Sequence, residues 1–147
     1  MVKVFTDNRT ARYNYHVLEV FEAGIVLTGA EVKSIRNGKA VLKDGYACIE
    51  KEELFLLNVH VSPYEKANNS KYNPEQKRKL LMHKGEIRRL SSKVVEKGLT
   101  LIPLRLYLNN GRVKVELGLV KGKRKYDKRE DIKKREVERD IRRDFRA

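Results

Sequence analysis

The sequence holds one cysteine, three histidines, three prolines and no tryptophan in 147 residues. A single thiol, Cys48, excludes an intrachain disulfide and with it the disulfide-stapled secreted scaffolds. Its setting in GYACIE reads as a small apolar strand residue rather than a reactive thiol. His16, His60 and His83 are far apart and lack the spacing of zinc ligands. No apolar run approaches the ~20 residues that span a bilayer. The opening MVKVFTDNRTARY has no apolar stretch of the secretory-signal kind, so the cytoplasm is the expected compartment. The GxxxxGK[ST] phosphate loop, the dinucleotide fingerprint and the nucleophile elbow are all missing. The expectation is a monomeric binding protein without metal, cofactor or catalytic site. A metal-free nuclease built on the histidines ranks below that.

Negative charge is the other scarcity. Asp and Glu number 20 against 34 Lys and Arg, a net charge of +14. Such a surplus repels itself unless a polyanion neutralises it, and with no membrane segment the polyanion is nucleic acid.

What is present reads mainly as β-structure. Residues 1–13 are polar and basic without sustained periodicity and read as an arm. Tyr15 to Leu27 is a long strand rich in β-branched and aromatic residues, with Gly24 as the expected bulge or bend. Thr28 and Glu31 have the capping-box spacing, and the short helix they open carries Val32 and Ile35 before Gly38. Gly45–Glu50 and Leu54–Val61 read as a hairpin around Lys51–Glu53. Pro63 to Pro74 reads as an exposed loop. Ile87, Leu90 and Val94 mark a helix from about His83 to Lys97, ended by Gly98. Leu99–Leu108 and Arg112–Val120 flank Asn109-Asn110-Gly111, a hairpin turn. In the last strand Val113, Val115 and Leu117 face one way and Lys114 the other.

At least five antiparallel strands with inserted helices predict a small barrel. The OB-fold is the commonest nucleic-acid-binding example, and strand count alone also allows an SH3-like barrel or an open sheet. Residues 1–120 form this unit. Residues 121–147 hold 13 Lys and Arg against 7 Asp and Glu and form a basic tail. Its stripe of Val137, Ile141 and Phe145 is too narrow to fold alone, so the tail is expected to be disordered when free and helical when bound.

Several residues balance two readings. Asn8, Arg9 and Arg12 are either a phosphate grip or a frayed terminus. Tyr15, Tyr46 and Tyr107 are either stacking platforms or core, and for Phe55 core is favoured. The run KGKRKYDKR, from Lys121 to Arg129, favours RNA contact over a solubilising linker because it is dense and holds one aromatic.

Taken together, NRTARYNY, EAGIVLTGAEVKSIRNGK, SPYEK, RKLLMHKGEI, GLTLIPLRLYLNNGRVKVELGLVKGKRKYDKR and the charged tail resemble the small protein B family of bacterial tmRNA-binding proteins. The strings run in the family's order and cover nearly the whole chain. Departures are small: Asn73 before Pro74, Met82 for a third Leu, and Thr10 for a more polar residue.

The resemblance implies an OB-type barrel that binds the tRNA-like domain of tmRNA. It also implies delivery to stalled ribosomes in place of the missing anticodon arm. Elongation factor Tu would be a partner through the tmRNA complex. The tail would enter the decoding site and mRNA channel as a helix. By motif, the residues facing tmRNA are Asn8, Arg9, Arg12, Tyr15, Glu22, Leu81, His83 and Lys114. Those facing the ribosome are Lys121, Lys123, Arg124, Lys125, Tyr126, Asp127, Lys128 and Arg129. The bare sequence offers no reason for Glu22, because a carboxylate repels phosphate; accepting from base amino groups, accepting from the 2′-OH and orienting a nearby Lys or Arg all stay open. Charge alone would also suit a general rRNA-binding or ribosome-assembly protein, which should not tell tmRNA from bulk tRNA at raised salt.

Overall fold

The structure, a computed structural model, describes residues 2–65 and 71–122. Its elements are, in order, β1 (Lys3–Asp7), α1 (Arg9–Asn14), β2 (Tyr15–Ile25), α2 (Gly29–Arg36), β3 (Ala40–Val41) and β4 (Tyr46–Glu50). Next come β5 (Glu53–Leu57), β6 (His60–Val61), β7 (Arg78–Leu81), α3 (Lys84–Lys97), β8 (Thr100–Asn109) and β9 (Arg112–Gly122). The predicted tail residues from Lys123 onward lie outside the described residues, the Val137–Ile141–Phe145 stripe among them.

The long strands close on themselves. β8 pairs with β9 along one edge. On its other edge Ala47 of β4 meets Leu101, and β1 takes the remainder. From β4 the pairing passes through β5, β7 and β2 to β9, every step antiparallel. The ring is the expected OB-like barrel, in which closure pairs both edges of the long strands, while β1 pairs with β8 alone. β3 and β6 form a small separate ribbon.

Local chemistry sets the turns. Asn110 and Gly111 both have positive φ, the two-residue hairpin turn that their types favour. Lys51 and Glu52 adopt the same left-handed pair between β4 and β5 without the usual Asn or Gly. The bulge in β2 lies at Leu18, where the register to β9 shifts between Val17 and Glu19, and not at the expected Gly24. This extra residue explains the broken alternation around Leu18 and Val20. Gly24 serves close packing instead: a Cβ there would stand 3.2 Å from that of Leu81 on β7.

Alternate residues of each strand fill the barrel, Leu54 and Leu56 from β5, Val115, Leu117 and Leu119 from β9. Each such side chain contributes about 1.5–3 kcal/mol. α2 adds Ile35, and α3 lays Ile87 and Leu90 into the same core, with Val94 packed against it as its period predicted. A second, smaller core of Ala11, Ile102, Leu104 and Val120 lies beneath α1, with Tyr15 against it.

One expectation changes here. The N-terminal arm is built structure, a strand on β8 followed by a helix over the second core. The described residues between Pro63 and Pro74 form a loop as expected, and Tyr72 and Pro74 at its end join a buried ion pair. Glu31 and Arg78 meet at 2.6 Å with 2% of each side chain exposed. The Thr28 N–H donates to Glu31 Oε1, closing the predicted capping box from one side while the Thr28 hydroxyl accepts from the Glu31 N–H. Tyr72 and Gln76 donate to Glu31 Oε2, and Arg78 donates to the carbonyls of Val59, Gln76 and Pro74. Burial opposes the charge on Glu31, but Thr28 and Arg78 outweigh it and hold the carboxyl below its ordinary range.

Candidate nucleic-acid interface

Four of the predicted residues, carried by different parts of the barrel, share one open cleft of about 700 Å³. β2 supplies Glu22 and Gly24. The end of β7 supplies Leu81, the residue capping α3 is His83, and β9 supplies Lys114. Strand register explains the grouping. Gly24 pairs with Leu81 on one side and Lys114 on the other, and Lys114 pairs in turn with Tyr107. The neighbouring row is Arg105, Glu116 and Glu22. Residues directly opposite on paired strands share a face, so both rows lie on the outside of the barrel. Lys114 is half-buried there, with Val113 and Val115 turned inward as expected. Leu81 is 52% exposed, a large apolar side chain left in solvent beside the cleft.

Glu22 now has a physical setting. Asn109 Nδ2 and the Tyr107 hydroxyl donate to Glu22 Oε1 at 3.0 and 2.8 Å. These two bonds, Asn109 first, hold the Glu22 carboxyl below its ordinary range against the opposing effect of burial, with Lys114 helping. Burial and the same carboxylate push the Tyr107 phenol up, so it stays protonated and donates. Tyr107 itself is buried, which settles it as a packed and bonded ring rather than a free stacking platform. Glu116, opposite Glu22, is neutralised by Arg105 at 2.6 Å.

The remaining predicted residues sit elsewhere. Asn8, Arg9, Arg12 and Tyr15 are at the far end of β2, about 20 Å along the strand from Glu22. Asn8 is a correction: it is 4% exposed, and its amide donates to the carbonyls of Leu42 and Pro103. It anchors the start of α1 to the barrel and does not grip phosphate. Arg9 and Arg12 are exposed and line a shallow surface groove with Asp7 and Tyr13. Tyr15 is half-buried against the second core. Lys121, read as the first tail residue, is exposed on β9 opposite His16, and the strand runs on through Gly122 opposite Tyr15. The root of the tail therefore adjoins α1. Lys123, Arg124, Lys125, Tyr126, Asp127, Lys128 and Arg129 lie outside the described residues.

The other aromatic residues divide. Tyr46 is exposed. Phe55, expected in the core, lies on the outer side of β5 with the Lys77 ammonium 4.1 Å from its ring centre. Cys48 is half-buried, and burial with Glu50 pushes its thiol up, away from the reactive thiolate. Among the described residues no three His, Cys, Asp or Glu side chains gather as a metal site, and no helix is long and apolar enough to cross a membrane.

Comparison with known proteins gives a consistent result. The SmpB protein family model matches residues 5–147. The SsrA-binding protein of Moorella thermoacetica is 59% identical over 146 residues, covering 99% of this chain and 94% of that protein. That of Desulforudis audaxviator is 59% identical, covering 99% and 95%. That of Geobacillus thermodenitrificans is 54% identical, covering 98% and 93%. A solved chain described as "tmRNA-SmpB: a journey to the center of the bacterial ribosome" superposes with a TM-score of 0.69 at 49% identity, over 86% of this chain and 93% of that one. A barrel of this construction, matched over nearly its whole length in sequence and in fold, places the chain in the SmpB protein family.

Proposed function

We propose that the protein binds the tRNA-like domain of tmRNA and delivers it to stalled ribosomes for trans-translation, itself performing no chemistry. The observation that carries this reading is the convergence of Glu22, Leu81, His83 and Lys114 on one exposed cleft. Residues far apart in sequence are brought to one face without forming a metal site or a nucleophile–base pair, which suits recognition rather than catalysis. The family and the names of its relatives supply the RNA.

The two ends of β2 do different work. The Glu22 end holds tmRNA. The α1 end, with Arg9, Arg12 and Lys121, adjoins the root of the basic tail and faces the ribosome with it. This moves the α1 arginines from the tmRNA side to the ribosome side. The tail enters the decoding site and mRNA channel, where its Lys and Arg meet rRNA phosphates. The protein stands where an anticodon arm would, acts in the cytoplasm as a monomer, and meets elongation factor Tu only through tmRNA.

The test is to identify the RNA that co-purifies with the protein and to compare tmRNA with bulk tRNA at rising salt. Preference for tmRNA that survives raised salt supports the reading, and equal loss of both RNAs overturns it. Replacing Arg9 and Arg12 together by Ala should spare tmRNA affinity and reduce tagging on stalled ribosomes. Loss of tmRNA affinity would return α1 to the tmRNA side.

A further inference from the structure

We infer that Glu22 reads an exocyclic amino group on an unpaired RNA base, and that Tyr107 and Asn109 are positioning residues that aim its carboxylate. The inference rests on the reading of this cleft as the tmRNA surface.

The charges of the cleft decide between phosphate and base. A surface that grips phosphate is cationic. This one places Glu22 and Glu86 beside a single lysine, Lys114. A carboxylate facing RNA must meet a donor, and the donors on a base edge are its N–H groups. Glu22 Oε1 already takes two hydrogen bonds, from Tyr107 and Asn109. No described residue donates to Oε2, so its lone pairs are left to accept from RNA. A base amino group, such as N4 of cytosine or N6 of adenine, supplies such a donor. The carboxylate repels a base with a carbonyl at the same place, such as uracil.

The supporting groups keep the acceptor fixed and charged. Tyr107 and Asn109 reach Glu22 from β8 across β9. Lys114 stands between Tyr107 and Gly24, and the Leu81 side chain packs over Gly24. Of the other titratable groups nearby, Glu116 is bound by Arg105, His83 and Glu86 stand on the cleft wall, and Arg36 and Arg112 line the adjoining groove that shares Gly24, Leu81 and Lys114. An ionised carboxylate accepts and never donates, so it discriminates amino from carbonyl more sharply than an amide would.

The experiment uses the full chain and the tRNA-like fragment of tmRNA. At each unpaired position in turn, an amino-bearing base is replaced by its amino-free counterpart: cytosine by uracil, adenine by unsubstituted purine, guanine by hypoxanthine. At one position the wild-type protein should lose affinity about tenfold. Glu22→Gln should lose that discrimination. Tyr107→Phe and Asn109→Ala should each weaken it while thermal unfolding stays near wild type, and neither should matter further in the Glu22→Gln background. The inference fails if no position is discriminated, or if a 2′-deoxy substitution alone reproduces the loss. It also fails if Tyr107→Phe weakens binding equally in both backgrounds, which would make Tyr107 a packing residue only. If the wild-type protein does not prefer tmRNA to bulk tRNA at all, the proposed function itself falls.

Discussion

Tyr15 and Gly122 are cross-strand partners, the first residue of β2 against the last residue of β9. The seam between β2 and β9 is therefore complete by residue 122. A chain stopped after Gly122 should unfold at the same temperature as the whole protein and bind tmRNA with the same affinity. It should fail to support tagging of stalled nascent chains. A chain stopped after Leu117 loses the pairing of Val20, Glu19, Val17, His16 and Tyr15 with β9 and should melt at lower temperature. Thermal unfolding, RNA titration and a tagging assay separate these outcomes. Loss of tmRNA binding in the longer truncation would contradict the division of labour.

Lys114 has no ion pair among the described residues, and its strand neighbours point inward. Lys114→Ala should weaken tmRNA binding and lower the slope of log affinity against log salt by about one unit or less. The unfolding midpoint should not move. An unchanged slope would remove Lys114 from the RNA surface.

The buried pair of Glu31 and Arg78 should be costly to break. Arg78→Met leaves Glu31 charged and without its strongest partner, and should destabilise the protein by about 3–5 kcal/mol in urea titrations. Because the Glu31 carboxyl is held below its ordinary value of 4.5 in the folded state, its contribution is complete above that value. It is lost as pH falls through the lower folded-state value. Glu31→Gln should therefore flatten the acid limb of the stability curve. A variant with the same acid limb as wild type would mean that other carboxylates set it.

A proline at Val137 tests the expectation that the tail acts as a helix. In a bound helix it should cost about 3 kcal/mol, read as reduced tagging, while the unfolding midpoint of the free protein is unchanged. Normal tagging by Val137→Pro would mean that the tail acts as an extended basic strand.

Legibility in the sequence followed the range of the interactions. β9 was readable because Val113, Val115 and Leu117 alternate with charge. The start of α2 was readable because Thr28 and Glu31 satisfy each other within one turn. β1 was not: KVFTD has no clean alternation, and it is a strand because β8 offers it an edge. Arg78 looked like one more cation in a basic chain, and only its partner, 47 residues away, makes it a buried one. Glu22 was placed in the site by resemblance alone. Its physical reason lies with Tyr107, 85 residues on, which no local pattern announces. Asn8 was misread because an Asn beside two arginines resembles a phosphate grip. Its role is fixed by the carbonyls of Leu42 and Pro103, which the fold brings to it.

The same ring has a consequence for how the protein is made. Synthesis runs from the N-terminus, yet β2, among the first strands to emerge, finds its long partner only in β9. Until residue 122 is available, the nascent chain carries strands with bare edges and a core open on one side. Completion is thus a single late event, not a gradual accretion. A copy cut short anywhere before β9 is left with an open seam, exposed to proteolysis by its own geometry.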